Sequence, residues 1–235
     1  VSIAQSGETA DTVAAMQEIS NQGGRLITIC NVEGSQSTRL ADATIYMRCG
    51  LEIGVASTKT FISSLTILSI LSAYLGQERG SLTPKYIREF VDNLASIPRL
   101  LGDMLADDEQ YRRLARKYHE YKDFLFLGRG INTPVALEGA LKLKEISYVH
   151  AEGYPAGEMK HGPIALIDKD MATLALAPLD DLYEKMVGNI QEIKARDGVL
   201  VGVVTEGDDQ LPEILNDVIF IPKLSAQKST IFGFV

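Results

Sequence analysis

The sequence has few of the residues from which metal centres and disulfide frameworks are built. Of its 235 residues, two are cysteine and three are histidine. Cys30 and Cys49 lie in or beside apolar runs typical of strands, so the pattern favours buried thiols over a disulfide. His119, His150 and His161 do not have the spacing of metal ligands. The sequence therefore predicts no metal site.

Positive charge and long apolar runs are also scarce. The net charge of -8 and the pI near 5.0 argue against nucleic acid or an anionic membrane as a general partner. The longest apolar stretch, residues 61–75, is interrupted by four serines, and a membrane-spanning helix needs about 20 apolar residues. We predict a buried core helix there. No signal peptide is visible, and a cytoplasmic location is expected.

Strands and helices alternate along the chain. Its length allows one large domain or two of about 100 to 130 residues, and 46% hydrophobic residues can form a core. Alternation without tight hairpin turns predicts parallel sheets covered by helices. Residues 1–4 are predicted to be the end of a strand, and the further predicted strands are residues 25–30, 43–47, 124–127, 171–177, 199–204 and 218–221.

Part of this pattern occurs twice. Two strands about a dozen residues apart in the first half, LITICN and ATIYM, match two in the second half, LVGVVT and VIFIP. The repeat predicts two α/β domains in tandem, residues 1–80 and 123–235, joined by helices in residues 81–122. Pro98 is predicted to kink or break one of those helices. Because the first copy lacks the opening strand of the second, we expect the chain to be a piece of a longer protein.

The helix predicted after Pro134 carries a charged stripe. Glu138, Lys142 and Glu145 are spaced i, i+4 and i+7 and share one face. Such a stripe can be an ordinary solvated face with an ion pair. It is followed, however, by a predicted long loop at residues 152–163, which is rich in glycine and proline and contains a histidine. Carboxylates, a lysine and a histidine can together supply acid and base groups near neutral pH.

Two further junctions join a loop to a helix. Loop 1, residues 5–9 (QSGET), places hydroxyls and free N–H groups at a helix N-terminus, where a phosphate is stabilised. Ordinary capping of that helix explains the same residues equally well. Loop 2, residues 52–59 (EIGVASTK), supplies Ser57 as a natural N-cap. Neither loop is a Walker A motif or a dinucleotide-binding fingerprint.

The stretch LEGALKLKEISYVHAEGYPAGEMKHGPIALI closely resembles the isomerase half of glutamine–fructose-6-phosphate aminotransferases, and the resemblance covers roughly residues 1–222. Members of that family convert fructose 6-phosphate and glutamine to glucosamine 6-phosphate and glutamate, in amino-sugar biosynthesis. The resemblance implies two sugar-isomerase (SIS) domains, each a five-stranded parallel sheet flanked by helices in a flavodoxin-like three-layer arrangement. It implies no metal and no organic cofactor.

The resemblance also assigns ligand contacts. The string QSGETADT is similar to the family's phosphate loop, whose side chains hold the sugar phosphate. The matching positions are Gln5, Ser6 and Thr9. The string EIGVASTK is similar to a second sugar-contact loop, in which Val55 and Ser57 are the matching contacts.

The acid–base roles on the charged stripe follow from the chemistry of the isomerisation that the resemblance implies. Glu145 is the expected base that moves a proton between C1 and C2 of the sugar. Lys142 polarises or protonates substrate oxygens, and Glu138 orients a partner. His161 matches the histidine that opens the sugar ring. In the family that histidine reaches the site of the neighbouring subunit, which implies a homodimer.

The sequence departs from the family at three points. Ala4 stands where a serine is usual, so one hydroxyl contact is missing. The family's tail lysine, which forms a Schiff base with the substrate, has no match, and residues 224–235 fit poorly. Lys223 and Lys228 are not assigned that role. The glutaminase half, with its nucleophilic cysteine, also has no match.

Two rival functions remain open. One is a sugar-phosphate deglycase or isomerase on the same pair of domains without a glutaminase. The other is a non-catalytic sugar-phosphate sensor. Glu145 and His161 argue against a sensor, because sensing needs only the phosphate contacts. Fold alone does not separate these functions.

Overall fold

The computed structural model describes residues 1–106 and 108–223. The chain forms two compact units, of which unit 1 is Val1–Ile87 and unit 2 begins at Arg88. The strands are β1 Ser2–Ala4, β2 Ile27–Cys30, β3 Ala43–Tyr46, β4 Asp123–Gly128, β5 His150–Pro155, β6 Met171–Ala177, β7 Val199–Thr205 and β8 Asp217–Ile221. The α-helices are α1 Ala10–Asn21, α2 Gln36–Leu40, α3 Lys59–Glu78, α4 Pro84–Leu105, α5 Glu109–Tyr118, α6 Asn132–Ser147 and α7 Tyr183–Lys194. Short 3₁₀ helices span Ala156–His161, Pro163–Leu166 and Leu211–Glu213.

Unit 1 contains a three-stranded parallel sheet in the order β1-β2-β3. Ile29 and Cys30 of the central strand are completely buried, as expected for a parallel strand covered on both faces. Helix α1 buries Val13 and Met16, which are three residues apart and therefore share one face. Loop 1 leaves the carboxyl end of β1 and leads directly into α1.

Unit 2 contains a five-stranded parallel sheet in the order β5-β4-β6-β7-β8. Side chains of successive residues point to opposite faces. Leu125 and Leu127 join the larger core with α7, whereas Phe126 packs with α6. Ala172 and Val201 pack with α5 on the same side of the sheet as α6. The apolar runs of the sequence are therefore central strands buried on both faces, and the predicted α/β class is confirmed.

The repeat is visible in the hydrogen bonds of the two sheets. The backbone N–H of Leu26 donates to Asp42 Oδ2 over 2.8 Å, and that of Leu200 donates to Asn216 Oδ1 over 2.9 Å. Leu26 directly precedes β2 and Leu200 is the second residue of β7, while Asp42 and Asn216 directly precede β3 and β8. Unit 1 thus corresponds to the last three strands of unit 2. Both β4 and β5 lack a counterpart in it, one strand more than the sequence indicated.

The prediction of a long loop at residues 152–163 was wrong in its first part. Residues His150–Pro155 form β5, an edge strand parallel to β4. Gly153 makes this possible, because a Cβ at that position would lie 2.6 Å from the Cα of Leu137 on α6. The short 3₁₀ helices that follow contain His161. Composition indicated a loop because glycine and proline are depleted in strands.

Helix α3 differs from the buried core helix that we predicted. Only Thr60 and Ala73 are fully buried, and 11% of its most apolar window lies inside the protein. Within the described residues α3 is the one helix long and apolar enough to cross a membrane, at a mean hydropathy of 1.3. Core helices of soluble proteins meet the same criterion. Hydropathy reports composition, whereas burial depends on what covers the helix.

Helix α4 continues through Pro98 to Leu105, so the predicted break at Pro98 does not occur. Proline removes one backbone donor. The amphipathic pattern of the surrounding residues maintains the helix on both sides.

Asp217 ties α5 to β8 in unit 2. Its side chain is 7% exposed and accepts hydrogen bonds from Arg113 Nη1 at 2.9 Å and Tyr118 Oη at 2.6 Å, and it is paired with Lys117. Burial alone raises the pKa of this carboxyl, but the hydrogen bonds from Lys117, Tyr118 and Arg113 outweigh it and hold the pKa below its usual value. The ionised form is therefore the one that stabilises the fold.

A carboxyl with a lowered pKa contributes stability above its unfolded pKa of about 4 and loses it as the pH falls through the lower folded value. Asp217→Asn is expected to reduce the free energy of unfolding of unit 2 by roughly 1–3 kcal/mol at pH 7 and to weaken its acid dependence. Urea unfolding at pH 7 and below pH 4 measures both effects. Asp103→Asn is the control, because its i,i+4 pair with Arg99 is 66% exposed on the aspartate side and such pairs contribute little. Equal losses in the two variants would contradict the assignment.

Candidate functional site

Loop 1 presents hydroxyls at the start of α1. Thr9 is the N-cap residue, yet its side chain makes no capping hydrogen bond. The backbone N–H of Glu8 donates to Ser6 Oγ at 3.3 Å, and the Glu8 carboxylate accepts from the backbone N–H of Gln36 at 2.9 Å. The Thr9 hydroxyl therefore does not engage the first N–H groups of α1. An anion site at a helix N-terminus needs such hydroxyl and N–H groups as donors.

A buried hydroxyl cluster supports loop 1 from below. Gly7 has φ +72°, and a Cβ there would lie 2.2 Å from Ser35 Oγ and 2.4 Å from Ser37 Oγ. Both serines are at most 2% exposed. The Gly7 carbonyl accepts from the Ser37 backbone N–H at 3.0 Å, and the Gln5 carbonyl from that of Asn31 at 3.2 Å. Glycine is required here by conformation and by space, so the backbone of the loop is fixed.

Loop 2 is held by a carboxylate at the start of α3. Glu52 Oε2 accepts from both the backbone N–H and the hydroxyl of Thr60, each at 2.9 Å. Thr60 Oγ1 in turn lies 2.6 Å from Ser57 Oγ. Ser57 has φ +52°, a left-handed conformation that is uncommon for serine. Val55, by contrast, is 87% exposed.

The charged stripe on α6 has the predicted geometry. Lys142 Nζ lies 2.6 Å from Glu138 Oε1 and 3.8 Å from Glu145 Oε2. The three side chains are 22% to 32% exposed, so the stripe is not a fully solvated face. Among the described residues Glu145 Oε2 is buried and has no hydrogen-bond partner. An unpartnered carboxylate oxygen next to a lysine can accept a proton from a bound molecule.

His161 ends the first 3₁₀ helix and is 73% exposed. Its Nδ1 lies 2.7 Å from Glu158 Oε2. Lys160 on the same turn pairs with Glu192 of α7 at 2.8 Å, and Met159 is buried in the core. The turn is therefore anchored by the two residues that precede the exposed imidazole.

The predicted residues fall into two groups. Gln5, Ser6 and Thr9 share loop 1, and Val55 and Ser57 share loop 2, all in unit 1. Glu138, Lys142 and Glu145 share one face of α6 in unit 2, and His161 lies on a separate turn of that unit. Lys223 is described and exposed, whereas residues 224–235, including Lys228, lie outside the described residues.

Both halves of the chain match one family model. The model of the SIS domain matches residues 1–73 and again residues 117–222. The chain belongs to the SIS-domain family. The two matches coincide with the two parallel sheets, so the tandem arrangement of SIS domains is confirmed.

Two curated relatives of these SIS domains have the same name. Glutamine–fructose-6-phosphate aminotransferase [isomerizing] of Thermus thermophilus is 45% identical over 224 residues, 95% of this chain and 37% of the relative. The enzyme of the same name from Methanosarcina acetivorans is 45% identical over 95% of this chain and 36% of its own length. The chain thus spans little more than a third of the relatives that it matches.

Two solved structures have the same fold as this chain. The C-terminal domain of glucosamine-fructose-6-phosphate aminotransferase from Francisella tularensis superposes with a TM-score of 0.90 and 38% identity, over 99% of this chain and 66% of that one. Tagatose-6-phosphate ketose/aldose isomerase from Escherichia coli has a TM-score of 0.71 and 16% identity over 99% of this chain and 64% of that one. The second likeness shows the shared fold alone.

The two SIS domains differ at the place where loop 1 lies. The corresponding turn in unit 2, after β6, contains Asp180. Its carboxylate accepts from the backbone N–H of Leu182 at 2.8 Å and from Asn132 Nδ2 at 3.1 Å. This turn satisfies its own donors with a carboxylate, whereas loop 1 offers hydroxyls. Of these two corresponding turns, only loop 1 carries serine or threonine side chains.

Sequence reasoning missed the residues that hold these loops. Glu52 stood in a quoted motif without a role, and Thr60 was not considered. A carboxylate eight residues before a threonine carries no local signal, because their contact depends on the path of the chain between them.

Proposed function

We propose that this chain is the sugar-phosphate isomerase part of a glutamine–fructose-6-phosphate aminotransferase. The whole protein would make glucosamine 6-phosphate and glutamate from fructose 6-phosphate and glutamine, in amino-sugar biosynthesis. The relatives' names and the retained site residues support this assignment. The single observation that carries the chemistry is the buried Oε2 of Glu145, which accepts no hydrogen bond from the described residues and lies 3.8 Å from Lys142 Nζ.

Loop 1 would hold the phosphate of the sugar. The hydroxyls of Ser6 and Thr9, the amide of Gln5 and the N–H groups at the start of α1 are neutral donors suited to an anion in a chain of net charge -8. Val55 and Ser57 of loop 2 would contact the sugar. Ala4 has no hydroxyl to offer, and the donors of loop 1 would bind the phosphate.

In the whole protein, ammonia from glutamine would first replace the C2 oxygen of the ring-opened ketose phosphate as an imine, with loss of water. Glu145 would then take a proton from C1 and return it to C2, which converts the ketose imine to the 2-amino aldose through an enolamine; with fructose 6-phosphate alone the same transfer runs through an enediol. Lys142 would stabilise the oxygen on which negative charge develops, and Glu138 would hold Lys142 in place through their 2.6 Å contact. His161 would move the proton in ring opening. No metal or organic cofactor takes part in this sequence of steps.

The assembly proposed with this chemistry is a cytoplasmic homodimer that binds neither nucleic acid nor membrane. His161 would serve the site of the neighbouring subunit, and its exposure of 73% supports a role outside its own turn. Residues 81–122 would connect a first SIS domain, residues 1–80, to a second that begins at residue 123.

Calorimetric titration of this chain with fructose 6-phosphate tests the proposal, with glucose 6-phosphate and free fructose as comparators. We expect both phosphates to bind and free fructose not to bind. Binding by a folded chain that does not require the phosphate would overturn the assignment of loop 1. Binding of sugar phosphates without proton exchange at C1 or C2 in D₂O would favour a sensor over an isomerase.

Thr9→Ala is expected to weaken fructose 6-phosphate binding by about 1–2 kcal/mol, the usual effect of losing a hydrogen bond to a charged group. Because Thr9 makes no capping bond, the melting temperature should change little. Thr9→Ser keeps the hydroxyl and should bind like the parent. Unchanged affinity of Thr9→Ala in the same titration would exclude Thr9 as a phosphate contact.

A further inference from the structure

Three oxygen atoms form a short chain at the start of α3. Ser57 Oγ lies 2.6 Å from Thr60 Oγ1, which lies 2.9 Å from Glu52 Oε2. Thr60 is 2% exposed, whereas Ser57 is half-buried and borders the exposed part of loop 2. These contacts connect the Glu52 carboxylate to the buried Thr60 hydroxyl, and the Thr60 hydroxyl to Ser57, which a ligand can reach.

The direction of each hydrogen bond in this chain follows from the charge of Glu52. The backbone N–H of Thr60 holds the pKa of Glu52 below its ordinary value, against the effect of desolvation, and the Thr60 hydroxyl and the charge of Lys59 help to lower it. At neutral pH the carboxylate is ionised and can only accept. Thr60 has one hydroxyl hydrogen, and it is donated to Glu52. Thr60 Oγ1 can then only accept from Ser57, so the Ser57 hydrogen points to Thr60.

We propose that Glu52 and Thr60 are positioning residues that fix Ser57 as a hydrogen-bond acceptor, so that Ser57 recognises a hydroxyl of the sugar. Phosphate and carbonyl oxygens are acceptors only, and a serine whose hydrogen is already donated cannot bind them. This inference rests on the proposed sugar-phosphate function. It divides the recognition between loop 1, which donates to the phosphate, and Ser57, which accepts from the sugar.

The backbone at Ser57 supports a functional reason for this arrangement. A φ of +52° costs a serine conformational energy that a glycine would not lose. An ordinary N-cap does not require it, and Thr58, the N-cap of α3, makes no side-chain capping bond. The hydrogen bond between Ser57 and Thr60 therefore forms with the Ser57 backbone in a strained conformation.

The test compares fructose 6-phosphate with its deoxy and deoxyfluoro analogues at C1, C3 and C4, by calorimetry on the whole chain. Fluorine cannot donate a hydrogen bond but remains a weak acceptor. At one of these positions we expect the deoxy and fluoro analogues to bind equally poorly, about two- to tenfold weaker than the parent. In Ser57→Ala this difference should disappear. A fluoro analogue that binds like the parent at every position would overturn the proposal.

Thr60→Val removes the acceptor that holds the Ser57 hydrogen, and Thr60→Ser keeps it. The quantity compared is the dissociation constant of the deoxy or fluoro analogue divided by that of fructose 6-phosphate. We expect this ratio to fall toward one in Thr60→Val and to be retained in Thr60→Ser. Thr58→Val, which removes an exposed hydroxyl on the same loop, is the matched control and should also retain it. A merely structural role for Thr60 would weaken all ligands together and leave the ratio unchanged, which would refute the polarity argument. If the protein without substitutions binds no phosphosugar at all, the proposed function itself is refuted.

Discussion

Glu145→Gln is expected to lower the rate of fructose 6-phosphate isomerisation at least about 100-fold, the lower range for loss of a general base. The amide keeps the shape of the side chain but cannot accept the proton from C1. Phosphosugar binding should stay within a few-fold, because loop 1 and loop 2 are unchanged. Deuterium incorporation at C1 and C2 in D₂O, measured in the whole protein, reports the proton transfer directly.

The matched control for this variant is Lys144→Gln, a change of one exposed charge at the neighbouring position of α6. It should exchange deuterium at the parent rate. If Glu145→Gln also keeps normal turnover, Glu145 is not the base.

Mixing Glu145→Gln subunits with His161→Ala subunits tests whether the site is shared between subunits. In a dimer in which His161 serves its neighbour, each mixed pair regains one intact site, and activity returns in part. No recovery would place both residues in one subunit's site.

Gly128→Ala is expected to have the largest effect on stability. A Cβ at Gly128 would lie 2.1 Å from the carbonyl oxygen of Asn132 and 2.4 Å from its carbon. These are backbone atoms of the first turn of α6, so they cannot rotate away as a side chain could. Relief requires moving α6 off β4, and we expect a loss of at least about 3 kcal/mol in the free energy of unfolding of unit 2.

The control for this prediction is Gly188→Ala. Gly188 lies within α7, and a Cβ there meets no atom within 4 Å. Alanine favours a helix over glycine, so this variant should gain roughly 0.5–1 kcal/mol. Chemical denaturation followed by circular dichroism measures both. If the two substitutions had similar effects, the close approach of β4 and α6 would not be the constraint that we infer.

The sequence predicted the elements whose signal is local. Strands β4, β6 and β7 are continuous apolar runs because both of their faces are buried. The stripe on α6 was also predictable, since residues four apart on a helix must be neighbours. In these cases the period of the secondary structure determines which residues meet.

Contacts between residues that are not at a regular spacing could not be predicted from the sequence. Strand β5 has a loop-like composition, and only its pairing with β4 makes it a strand. Hydropathy marked α3 as a core helix although most of it is only half-buried. The contact of Glu52 with Thr60 depends on how loop 2 folds back, and no spacing rule encodes it. Resemblance to the family named Ser57 but did not give the direction in which its hydroxyl points.

The carboxylate of Asp180 has a consequence for how the protein responds to ligand concentration. A duplicated fold would ordinarily offer two anion loops per chain, and a weaker second one would fill at high sugar phosphate. In this chain the Asp180 carboxylate of the second loop already accepts from a backbone N–H and from Asn132, and its negative charge would oppose the binding of a phosphate there. Saturation should therefore follow a single hyperbola with one ligand per chain, without inhibition by excess substrate from that loop.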